Sequence, residues 1–203
     1  MHLNMERDRT VDRSDVGKPS NFTRWFGRSK IVDEDGAPRI VYHGTTVDFD
    51  SFRSKMRDPA LGFHFGSVSQ AEWFAGYDGR GRTSRGSRIL PCFLWIENPL
   101  RMPDVFYRGY GGVDEVAYWL FREGLIAQDV HAGIYRAKSV RKACDRIVKA
   151  IEAIGYDGIT YENVHEGGTW DTNDDGYIAF RPGQIKSVFN RGAFDPMSES
   201  ILD

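Results

Sequence analysis

The chain has 203 residues, 40% of them hydrophobic and 13% aromatic, enough for one well-packed core. Lys+Arg 27 against Asp+Glu 29 gives a net charge of −2, so no whole-molecule basic field points to nucleic acid and no acidic tail to a solvating segment. No run approaches the roughly 20 apolar residues a bilayer span needs, and the N-terminus lacks the apolar stretch of a Sec-type leader. A cytoplasmic protein is expected, or one delivered into a target cell's cytoplasm by another route.

Residues 1–20 are polar, charged and aperiodic and read as a flexible arm, leaving 21–203 as one domain. A short turn at 21–27 supplies Phe22, Trp25 and Phe26 as a lid on the first strand. Apolar residues on both sides of Asp35-Gly36 predict a β-hairpin whose second strand ends in "IVYHGTT". "LGFHFG" (61–66) reads as a short strand, followed by a helix that Ser67 or Ser69 can cap. The Gly/Ser/Arg-rich stretch 76–88 reads as a mobile surface loop.

"ILPCFLWIENPLRMPD" (89–104) reads as a buried strand ended by Asn98-Pro99. Apolar spacing predicts helices over 112–124 and 139–155, the second stopped by Gly155. "YDGITYENV" and "GYIAFRPGQIKSVFN" read as strands separated by a polar loop. Many short strands with two or three helices make an α+β domain rather than a regular βαβ array. Cys92 and Cys144 are far apart and lack metal-ligand spacing, so they read as buried thiols.

Taken singly, the candidate chemical groups are weak signals. A histidine at a strand end, such as His43, is more often a satisfied structural residue than a catalyst. His64 lies between two phenylalanines and could be a core histidine. Asp171, Asp174 and Asp175 lack the continuation of a calcium loop, which favours a solvated hairpin loop and no metal. No GxSxG, HExxH, Cys–His or P-loop signature is present.

The order of the pieces is more informative: "VYHGT", "LGFHFGSVSQAEWFA", "ENPLRM", "AIGYDGITYEN" and "YIAFRPGQIKSVFNRGAFD". This succession resembles the ADP-ribosyltransferase superfamily in its His–Tyr–acid branch, and most closely the ADP-ribosyltransferase-like domains of phage and prophage polyvalent proteins. The resemblance covers about residues 22–203 and implies a split β-core of two small sheets with an NAD cleft between them.

It implies that His43 holds a ribose hydroxyl of NAD and that the Gly44 backbone pairs with the nicotinamide carboxamide, with Tyr42 and Thr45 beside them. Imidazole can both donate and accept, and glycine has no Cβ to keep a ligand from the backbone. The second motif is Gly62, Phe63, His64 and Phe65, with His64 where the family's tyrosine stacks on nicotinamide and Trp73 or Phe74 as the other wall. Arg53 is a candidate partner for the pyrophosphate. The family's catalytic glutamate position falls on Gly176. The carboxylate is therefore sought at Asp175, with Asp174 and Glu166 as alternatives in the same loop.

The function so implied is mono-ADP-ribosyl transfer from NAD to a macromolecule, a protein before an RNA, with phage or bacterial-conflict character. NAD hydrolysis and a catalytically degenerate NAD-binding or interaction domain are the alternatives. An acid is required because breaking the bond to nicotinamide builds oxocarbenium character at the ribose, as in sugar hydrolysis.

Overall fold

A computed structural model describes residues 20–53, 61–76, 85–105, 112–164 and 174–203. The arm before Ser20, Glu166, Asp171 and most of the Gly/Ser/Arg-rich loop lie outside the described residues. The architecture is α+β with two small sheets. One sheet orders β1 (Val41–Thr45), β3 (Arg88–Leu94) and β7 (Ile185–Ser187) as β1-β3-β7, all antiparallel. The other orders β2 (Phe63–Phe65), β6 (Asp175–Ala179), β5 (Gly158–Glu162) and β4 (Pro99–Met102) as β2-β6-β5-β4, with only β4–β5 parallel.

Between the sheets lies a core of Val41, Phe52, Phe63, Phe65, Cys92, Leu94, Ile96, Tyr177, Ala179 and Ile185. A second core covers the other face of the four-stranded sheet. There Ile159, Tyr161 and Ile178 meet α3 (Gly112–Arg122), α4 (Gln128–Tyr135) and α5 (Val140–Ala153). The alternation of β6 follows from this: Tyr177 and Ala179 enter the inter-sheet core while Ile178 enters the helical one. Both thiols are buried and free, and burial pushes the Cys92 thiol up to about 12.

Several expectations change in detail. Residues 21–26 form a short helix, α1, capped by Ser20, and Phe22 packs on Phe93 of β3 rather than on the first strand. The 30–40 hairpin survives as one bridge, Val32 to Pro38, closed by the Asp33 carboxylate accepting from Asp35 and Ala37. The ladder partner of β1 is β3, far along the chain, because the inter-sheet core must be covered by Val41 and Cys92 together. Among the described residues five α-helices form instead of two or three. α4 is not legible in the sequence because it is only 8 residues long and has no side-chain N-cap.

The stretch 89–104 is two strands in different sheets rather than one. Pro91 sits inside β3 opposite Tyr42, at a pair whose peptide groups point away from each other, so its missing N–H removes no β1–β3 bond. Its carbonyl accepts from Val188 on the other side. Pro99 opens the edge strand β4. The bend before it is held by Asp157, whose carboxylate accepts from the amides of Glu97 and Asn98, both at 2.8 Å.

The C-terminal signature "GQIKS" is a brace between the sheets. The buried Gln184 Oε1 accepts from the amides of Phe180 and Arg181, and its Nε2 donates to the carbonyls of Trp95 and Asp157. Lys186 is fully buried on β7 and donates to the carbonyls of Ser198 and Ser200, fixing the C-terminal segment. Residues of "GYDG" and "GQIKS" that carried the family resemblance thus do structural work.

Candidate functional site

Among the described residues, β1 and β2 are bridged at one pair and then part. Tyr42 and Gly66 exchange both backbone hydrogen bonds, at 2.9 and 3.0 Å, which closes β1 against the end of β2. Two residues further along, the same register would bring Gly44 opposite His64, but no ladder continues there. Peptide groups alternate along a strand, so Gly44 directs its N–H and C=O to the same side as Tyr42, into this opening. His43 and Thr45 direct theirs to β3.

The His43 side chain bridges the opening. Its Nδ1 lies 2.8 Å from the backbone carbonyl of His64. A carbonyl only accepts, so Nδ1 carries the proton, and in the neutral ring Nε2 is left as an acceptor. Burial pushes the His43 pKa down, with the bond to His64 opposing, which keeps the ring neutral near pH 7. Phe52 meets it edge-on at 5.0 Å and Phe65 tilts against it at 5.5 Å, so the imidazole has a fixed orientation. Thr45 accepts from the Val47 amide with its hydroxyl and is half-buried.

Gly44 is compelled by packing as well as by any ligand. A Cβ there would lie 1.8 Å from the Ala71 carbonyl oxygen, because α2 (Val68–Phe74) rests directly on β1. Ser67 caps this helix in a full capping box with Gln70, as its sequence proposes. Ala71 and Ala75 face the strand, and Trp73 and Phe74 stand about half exposed. Gly62 likewise lies against the backbone of β6, where a Cβ would meet the Ala179 carbonyl at 2.3 Å.

On the four-stranded sheet the candidate groups divide between two faces. Register pairs Phe65 with Tyr177 and His64 with Ile178. Phe63, Phe65, Tyr177 and Asp175 therefore share the inter-sheet face with the His43 ring, while His64 and Gly176 belong to the other face. Burial pushes His64 down to about 4, with proximity to His43 adding to the shift. Asp174 continues the ladder through its carbonyl, which accepts from Asn163, so alternation puts its side chain on the Gly176 face. Gly176 itself has no room for a side chain: a Cβ would fall 2.2 Å from Cζ of the buried Tyr161.

Asp175 is engaged. Its Oδ2 accepts from Arg101 Nη1 at 2.6 Å, and Glu162 of β5 lies directly opposite it in the ladder. The hydrogen bond to Asp175 is the largest of the influences that raise the Arg101 pKa, and the charges of Asp175, Glu162 and Tyr177 add to it. Neither Arg101 nor Glu162 stands out in the sequence. The only signal is that strand parity puts Arg101, Thr160 and Glu162 on one face, and that needs the β4–β5 and β5–β6 registers. Arg53 is exposed, and among the described residues no contact ties it to the other candidates.

Together these residues form a neutral, oriented imidazole, an open peptide edge beside it and a carboxylate held by arginine on the same face. Such groups can hold ribose hydroxyls and an amide and can stabilise a developing cation. No curated protein and no solved structure matches the chain. The family model described as ADP-ribosyltransferase in polyvalent proteins matches residues 33–194, from the first hairpin through the C-terminal brace. This chain belongs to that ADP-ribosyltransferase family.

Proposed function

We propose that the protein transfers a single ADP-ribose from NAD to a macromolecular acceptor, a protein side chain, with release of nicotinamide. The observation that carries this reading is the opening between Gly44 and His64, spanned by the His43 imidazole. In this reading the Gly44 amide and carbonyl pair with the nicotinamide carboxamide, which offers the matching acceptor and donor. His43 Nε2 accepts from a ribose hydroxyl. The exposed Trp73 or Phe74 forms one wall for the nicotinamide, while the His64 ring, on the other face of its strand, is not part of this pocket.

The bond from the ribose anomeric carbon to the nicotinamide nitrogen breaks with its electron pair going to the nicotinamide, which leaves neutral. Positive charge builds on the ribose, and Asp175 stabilises it through the adjacent hydroxyl. The acceptor's nucleophilic atom forms the new bond to the anomeric carbon and gives up its proton to Asp175 or water. The leaving group is cationic before cleavage, so no general acid is needed.

Purified protein incubated with labelled NAD and a bacterial lysate tests the reading. Label is expected in a protease-sensitive, RNase-resistant fraction, and His43→Ala and Asp175→Asn should each lower it by about 100-fold or more. Label that RNase removes would reassign the acceptor. Nicotinamide release in buffer alone at the same rate would make the protein a hydrolase. Undiminished transfer by both variants would refute the site.

A further inference from the structure

We propose that Arg101 is a positioning residue for Asp175, holding one carboxylate oxygen so that the other is presented to the substrate. This rests on the reading of Asp175 as the acid of an NAD-cleaving site. Arg101 stands on β4 and Asp175 on β6, with β5 between them, so the arginine side chain must lie across the face of β5 to reach its partner. It does so at 2.6 Å and takes Oδ2, and no bond among the described residues occupies Oδ1. An aspartate on a strand end has free choice of rotamer, and a charge-assisted bond to one oxygen removes that choice.

A second physical reason lies in the ladder. Asp175 and Glu162 are direct cross-strand neighbours on the same face, a pairing that like charges make unfavourable. The Arg101 guanidinium, bonded to Asp175 and within electrostatic reach of Glu162, offsets this repulsion. Asp175 remains partly open to solvent, with 29% of its side chain exposed, so the held carboxylate is reachable. The arrangement also answers the shortness of aspartate: with one methylene fewer than glutamate, it depends more on being aimed.

The test is steady-state NAD cleavage by Arg101→Gln, Arg101→Lys, Asp175→Asn and the Arg101→Gln/Asp175→Asn double variant. Arg28→Gln, which breaks an exposed ion pair elsewhere, serves as the control. Arg101→Gln is expected to lower kcat by about tenfold or more while KM for NAD moves by less than about threefold. Arg101→Lys should recover part of kcat, and the double variant should be no slower than Asp175→Asn alone. Unchanged or increased kcat in Arg101→Gln overturns the proposal, as does a rise in KM alone, which would mark an arginine that binds NAD directly. Additive losses in the double variant overturn it too. Full activity in Asp175→Asn removes the acid assignment itself, and a wild type that cleaves no NAD removes the whole ADP-ribosyl reading. Those two failures are separate from indifference to Arg101.

Discussion

The imidazole of His43 donates from Nδ1 to the backbone carbonyl of His64 at 2.8 Å, at the place where β1 and β2 stop being paired. A side chain here replaces the ladder bond that the parting strands can no longer make. The same bond selects the tautomer and leaves Nε2 as an acceptor. Structural and chemical demands therefore meet in one residue, and substitutions can separate them.

Replacing His43 by Ala should remove both roles and His43→Asn only part of them. An asparagine can still donate to a nearby carbonyl but does not present the Nε2 acceptor in the same place. Activity should fall by about 100-fold in each, while the loss of thermal stability should be about 1–2 kcal/mol larger for Ala. Parallel nicotinamide-release assays and thermal melts check this. Equal melting points for the two variants would count against the bridging role.

Gly44→Ala is expected to destabilise the protein by about 2–3 kcal/mol, since the new methyl would meet the α2 backbone at Ala71 and not a movable side chain. Chemical denaturation should show a lower midpoint with unchanged slope. A neutral Gly44→Ala would mean that α2 can lift from β1.

Restoring an acid at the family's glutamate position should fail. Gly176→Glu must displace the Tyr161 ring, so we expect a loss of about 3 kcal/mol or more and no gain in NAD cleavage. Gly176→Ala should already cost about 1–3 kcal/mol. A faster Gly176→Glu enzyme would argue that Tyr161 yields and that the acid belongs on the other face of β6.

Gln184→Ala tests the brace. Two amides and two carbonyls lose their partner at once, and about 2–4 kcal/mol should be lost. Because Gln184 is remote from the NAD groups proposed above, kcat measured well below the melting point should stay within about twofold of wild type.

Acid lability is the fifth expectation. His64 falls to about 4 in the folded chain and His43 is also lowered, whereas both titrate near the ordinary histidine value of 6.5 when unfolded. Below 6.5 the unfolded state therefore binds more protons, so stability is full above that pH and declines as pH falls toward about 4. Melts across this window should show the decline, and His64→Gln should flatten it. An unchanged pH slope in that variant would rule out His64 as the source.

The sequence alone determined the ordered motifs, the two-sheet α+β class, the capped helix after "GFHFG" and the family to which the chain belongs. These are legible because local rules write them: periodicity, caps, turn dipeptides and the succession of short signatures. Only the tertiary structure decided what each motif residue does. Gln184, Lys186 and Asp157 serve as braces, because their partners lie on segments distant in the chain. The face that the Asp175 carboxylate occupies was likewise invisible, since strand alternation sets Asp175 and Gly176 on opposite faces and only the registers of β2, β5 and β6 say which face is which. Arg101 reaches Asp175 across 74 residues of sequence, a contact that follows from strand order and from nothing local.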